Sequence, residues 1–339
     1  MLPNMQPHMI FSGLAALFIS SSFAAESRSP LETARAHVAA IRGSQHAGSN
    51  SEELQRQVEE SLQGRDPKTS ATSFLHGIKR RAGRLLTKEQ AKRWNELLDG
   101  RQPELKRLHD ERNVLRGFFF AKAWELPLLE GEARMRAEAD LKAWLGVWLD
   151  LTLWERIAQH RLCRDAWEIL DADQRAAIAR GDWDRHVKKS MGHKRAYFGD
   201  RIVSRALGKP GNAAAFEQHS ATLAKEHAPV RERLLEAERR WRILTFAQPP
   251  VSDDLLAAEW SRTSAALGAF FLTQADHQER LSRAGYDLDD PAVRARVAAR
   301  PAAELATLAE NVRKKLTAGK AFHAELIATM ENAGTPKRK

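Results

Sequence analysis

His160 and Cys163 stand three residues apart in a stretch of strong helix formers, a spacing that puts imidazole and thiol on one helical face. A neutral imidazole and a thiolate so placed both suit Zn²⁺, Cu or Ni²⁺. Two ligands do not make a closed site, and no Cys-x-x-Cys supplies the others. The nearest further donors are His186 and His193, with Met191 between them, which a chain reversal would bring back toward the pair. The competing reading makes Cys163 a small buried hydrophobe and His160 a surface residue beside Arg161. His219 and His227 lie eight apart, too far to share one ion without partners from elsewhere. Carboxylates are so abundant that spacing singles out no acid–base pair. The chain has no Gly-rich phosphate loop and no His-Glu-x-x-His, and its one cysteine comes with no recognisable triad. These residues point away from an enzyme and to a protein with no resident cofactor other than a candidate Zn, Cu or Ni ion.

The elements that must position these groups are helices. Apolar residues make up 43% of the 339 and charged residues 29%, a balance that suits a folded chain rather than a disordered one. Alanine, leucine, arginine and glutamate dominate and β-branched runs are nearly absent, which predicts an all-α fold. An apolar run from Met9 to Ile19 leads into small residues at Ser22 and Ala24, the pattern of an export signal spanning residues 1–24, although no Lys or Arg precedes it. Later stretches are too polar to span a bilayer, so no stable transmembrane segment is expected after signal removal. A single cysteine means that export brings no internal disulfide. The net charge of +10 favours anionic surfaces or acidic clients. Basic and acidic residues alternate, as in Arg101–Arg116 and Arg231–Arg242, and read as solvated helix faces rather than a nucleic-acid groove.

Residues 25–73 form a polar amino-terminal segment. Residues 74–207 read as a first helical hairpin domain. Gly100 and Pro103 are expected to interrupt its first helix, which resumes at Glu104 and reaches about Trp124. Pro127 and Gly131 mark a turn, and a long helix follows from about Ala133 to Ile169. A helix of about 35 residues is roughly 50 Å long, so an antiparallel hairpin is the natural packing. Its apolar face carries Trp144, Trp148 and Trp154, which with Phe118 and Phe119 read either as hairpin core or as a client-facing apolar patch. Residues 208–212 form the clearest linker. Residues 213–330 read as a second helical domain, with Asp290-Pro291 as a helix start, a helix from about Ala303 to Met330, and a basic tail at 331–339. Pro229–Leu234 resembles Pro103–Leu108, with Phe246 falling opposite Phe120, so the second half is a candidate divergent repeat. Two tandem hairpins would then form an extended or curved helical structure.

Leu86-Thr87-Lys88-Glu89-Gln90 and Leu170-Asp171-Ala172-Asp173-Gln174 bracket the first hairpin. In each, Thr87 or Asp171 can accept the N–H of the glutamine three residues on, while Gln90 or Gln174 reaches back to the cap residue's own N–H. These paired boxes resemble the Leu-Thr-x-x-Gln boxes of the Spy/CpxP-like and heavy-metal-resistor periplasmic proteins, over about residues 85–206. The first box fits the motif fully, and in the second Asp171 replaces threonine. The resemblance implies a periplasmic envelope-stress protein. One implied activity is ATP-independent chaperoning of unfolded or partly folded exported polypeptides. The other is metal binding or sensing. A dedicated helical foldase or scaffold for one secreted partner is a third reading. Whether hairpins also pair between two subunits as a homodimer stays open.

Overall fold

The computed structural model describes residues 86–179, 199–245 and 251–315, with six further residues between 31 and 39. Seven α-helices, and no strand among the described residues, bear out the all-α expectation: α1 Lys88–Ala123, α2 Gly131–Ile169, α3 Ala172–Ala179, α4 Gly199–Leu207, α5 Ala213–Thr245, α6 Asp253–Gly285 and α7 Pro291–Lys315. The expected export signal at residues 1–24, the residues at 40–85, 180–198 and 246–250, and the expected basic tail at 331–339 lie outside the described residues.

Local chemistry explains the helix ends. After α1 the chain makes one 3-10 turn at Leu126–Leu128, with Pro127 buried, and enters α2 through Gly131 at φ 53°, a left-handed conformation that favours glycine. Gly208, at φ 87°, closes α4 by donating its N–H to the Ser204 carbonyl at 2.9 Å. Asn212 Oδ1 accepts the Ala215 N–H at 3.0 Å and caps α5. Ser252 caps α6 with Asp253 and Asp254 in its first turn, where the helix dipole favours acids. Asp290 Oδ1 takes the Ala292 N–H at 2.8 Å, and Pro291 is the first residue of α7.

Two sequence expectations change. Gly100 and Pro103 do not interrupt α1, which runs unbroken through both. Pro229, the counterpart of Pro103 in the candidate repeat, likewise sits inside α5. The last helix starts at Pro291 and continues through Pro301 to Lys315, so no new helix begins at Ala303. In each case a long packed helix tolerates the loss of one main-chain hydrogen bond that would end an isolated one.

Helices α1 and α2 form one antiparallel hairpin, tied by Arg101–Asp165 at one end and Phe118 stacked on Trp144 at the other, with ring centroids 4.7 Å apart. Helices α5 and α6 form a second, and α6 lies antiparallel along α2, with Arg161–Asp253 and Arg134–Glu279 marking its two ends. Helix α7 runs beside α1, where Leu308 covers Gly117 so closely that a Cβ there would overlap it. Leu108 and Phe119 of α1, Leu151 of α2, Leu244 of α5, Leu256 of α6 and Leu305 of α7 all belong to one apolar core, so both hairpins bury their faces together. Val38, from the segment read as polar, is also buried in that core.

The charged stretch Arg231–Arg242 is not wholly a solvated face. Arg240 makes a two-pronged pair with Glu259 at 2.8 and 2.9 Å, and Glu259 is 0% exposed. Arg156 of α2 reaches Glu238 of α5 at 2.9 Å, its guanidinium 5.5 Å from the Trp241 ring and 5.4 Å from the Trp260 ring. Arg112 holds buried Glu155 at 2.9 Å. Arginine suits these positions because its planar fork is weakly hydrated and also stacks on indole faces.

Candidate functional site

The two capping boxes meet at one end of the first hairpin. Thr87 Oγ1 accepts the Gln90 N–H at 3.2 Å, and Gln90 Oε1 accepts the Thr87 N–H at 2.9 Å. In the second box Asp171 Oδ1 accepts the Gln174 N–H at 2.8 Å, and Gln174 Oε1 accepts the Asp171 N–H at 3.0 Å. Both boxes are therefore closed in both directions.

The glutamines do more than cap. Gln90 Nε2 donates to Gln174 Oε1 at 2.9 Å, and Gln174 Nε2 donates to Gln90 Oε1 at 2.9 Å. The second N–H of Gln90 goes to the Ile169 carbonyl at 3.0 Å, the residue immediately before the second box. Each amide oxygen thus uses both lone pairs, one on its own box and one on the other. This reciprocal amide pair clasps the start of α1 to the junction of α2 and α3. Leu86 and Leu170 turn inward and join a small apolar cluster of Trp94, Cys163, Ala166 and Trp167 beneath the clasp. Arg175 covers its edge, stacking 5.6 Å from the Trp167 ring and donating to the Trp167 carbonyl at 3.1 Å. Spacing within each box reveals the caps. The amide pair joins residues far apart in sequence, and its one sequence trace is glutamine at the same place in both boxes.

The metal candidates take up different contacts. His160 is buried and its Nε2 lies 3.0 Å from the Val251 carbonyl at the entry to α6. Cys163 packs in the cluster beneath the clasp, where burial, with Asp165 adding to it, raises its thiol well above the usual range. His186, Met191 and His193 lie outside the described residues, among which no group of three or more His, Cys, Asp or Glu is placed to hold a metal ion. His219 is exposed, its Nδ1 2.9 Å from the Ala215 carbonyl of its own helix. The protonated, covered Cys163 is expected to react with a thiol reagent on the order of a hundredfold more slowly in the native protein than in urea. Labelling kinetics with and without denaturant check this; equal rates would show an open cluster.

The aromatic candidates are interior. Phe118, Phe119, Trp144 and Trp148 are buried in the main core, where Trp148 meets Phe271 edge-on at 4.6 Å; Trp154 is half-buried. The exposed large apolar side chains among the described residues are Met135, at 64%, and Ile202, at 45%. A shallow open cleft lies between α4 and α5 over Phe216, edged by Asp200, Arg201 and Glu217. No helix of the described residues is long and apolar enough to cross a membrane. Comparison with protein families, with curated proteins and with solved structures yields no match.

Proposed function

We propose that this chain is a periplasmic, ATP-independent chaperone-like protein that binds unfolded or partly folded exported polypeptides. One observation carries the reading: the two Leu-Thr-x-x-Gln-like boxes close as capping boxes and clasp each other through Gln90 and Gln174. That arrangement gives every motif position a physical role, with leucine in the small cluster, threonine or aspartate on the helix end, and glutamine joining the ends. It supports the resemblance to the Spy/CpxP-like proteins beyond a match of short sequence patterns. The +10 charge would draw anionic or acidic clients by long-range attraction.

The test is aggregation of a reduced, unfolding client with this protein added, in the presence of Zn²⁺, Cu²⁺ or a chelator. Suppression at near-stoichiometric ratios, equal in all three conditions, is the expected result. No suppression for any client sinks the chaperone reading. A metal-dependent change in helicity or assembly would then favour metal sensing, and recovery of one stoichiometric secreted partner would favour a dedicated foldase.

A further inference from the structure

The chain between α4 and α5 is five residues long, 208–212, and both of its ends are tied to the end of α6. Tyr286, directly after α6, donates its hydroxyl to the Gly208 carbonyl, and the Asn212 N–H goes to the Gly285 carbonyl at 3.1 Å. Phe216 packs so closely on Gly285 that a Cβ there would overlap its ring, and it meets Tyr286 edge-on at 6.1 Å. Val203 and Leu207, 0% and 1% exposed, anchor α4 in the same apolar cluster. The two helices are thus held apart at a fixed spread. The α5 side chains that face the gap, Ser220, Ala221 and Ala224, are too short to close it. An open cleft of about 420 Å³ results, with Phe216 at its base, within the ~300–1,000 Å³ of small-ligand sites.

The rim of this cleft is charged. Asp200 of α4 and Glu217 of α5 form no side-chain ion pair among the described residues, whereas Arg201 has a partner of its own. Two carboxylates without a counter-ion, set over an apolar base, match a group that is cationic at its tip and apolar along its stem. Arginine and lysine side chains are built that way. The net charge of +10 does not prevent their approach, because charges beyond about 8–10 Å are largely screened at physiological salt. We propose that the cleft is a docking site for a basic residue and its apolar neighbour in an extended client polypeptide. Asp200 and Glu217 hold the cation, and the apolar side chain lies against Phe216 and Ala221. The choice of occupant rests on the chaperone reading, whereas the cleft and its charge do not. Ion pairs at an open rim are weak and exchange readily, which suits a client that must leave without nucleotide.

Fluorescence anisotropy of a labelled Arg-Leu-Arg-Leu peptide, titrated with the whole protein, reads the site directly. At low salt it is expected to bind about tenfold more tightly than Gln-Leu-Gln-Leu, an advantage that shrinks as salt is raised. Asp200→Asn combined with Glu217→Gln should remove most of that advantage. Ala221→Arg, at an exposed helical position, places the chain's own guanidinium in the cleft and should weaken the peptide about tenfold or more. In the aggregation assay the same Ala221→Arg protein should protect a client less well than the unaltered one. If the unaltered protein protects no client, the chaperone reading fails and the peptide titration still judges the cleft. If it protects clients and Ala221→Arg binds and protects equally well, the cleft assignment fails alone. The proposal is also overturned if the two peptides bind alike, or if the double carboxamide variant keeps the full preference. A dimer that Ala221→Arg dissolves would put a second copy in the cleft and overturn it as well.

Discussion

Arg240→Met is expected to lower folding stability by about 3–5 kcal/mol, the cost of leaving a buried carboxylate without its cation. Glu259 is fully covered, and Arg240 meets both of its oxygens, at 2.8 and 2.9 Å. The attraction within the pair offsets the loss of water around two charges only while both partners are present. Removing one leaves that desolvation in place with nothing against it. Arg240→Met combined with Glu259→Leu removes both charges and keeps similar volume. The double variant should recover most of the loss and sit near the unaltered protein. Urea unfolding of the two single variants and the double variant measures this cycle. A loss below about 1 kcal/mol in Arg240→Met would mean that Glu259 finds another cation.

The second large effect concerns the clasp. Gln90→Ala removes the acceptor of the Thr87 N–H, the donor to the Ile169 carbonyl and both bonds to Gln174. A loss of about 2–3 kcal/mol is expected, because the groups left behind are partly buried and no longer matched. Gln174→Ala should cost a similar amount, since it breaks the same amide pair from the other side and opens its own box. The double variant should lose less than the sum by about 1–2 kcal/mol, as the shared bonds are counted only once. Exchange of the Trp94 and Trp167 main-chain amides would rise with it, because the small cluster lies beneath the pair. Strict additivity would show two independent capping boxes and remove the physical basis for reading the motif as one unit.

These effects divide according to the range of the forces involved. Helix type, the reversal at Pro127 and Gly131, the break at 208–212 and the two capping boxes were legible in the sequence. Each depends on groups within about four residues of one another, on side-chain entropy or on allowed backbone angles. Pro103 misled for the same reason. Its local cost was read correctly, but packing of α1 against neighbouring helices outweighs it, and Pro229 is carried inside α5 in the same way. Three features came from tertiary structure alone. The Gln90–Gln174 pair depends on the register of α1 against α2. The burial of Arg240 and Glu259 depends on which face of α5 meets α6, and alternating charges look the same on a wet face and in a dry seam. His227 was set beside His219 by spacing along one helix, whereas the fold sets it against His277 across a hairpin. The sequence by itself determined the helical class, the capped helix ends and where the chain turns back after α1, because those outcomes are local. Which polar groups face each other without water was decided only when the hairpins packed, because desolvation depends on neighbours from other helices that local spacing does not specify.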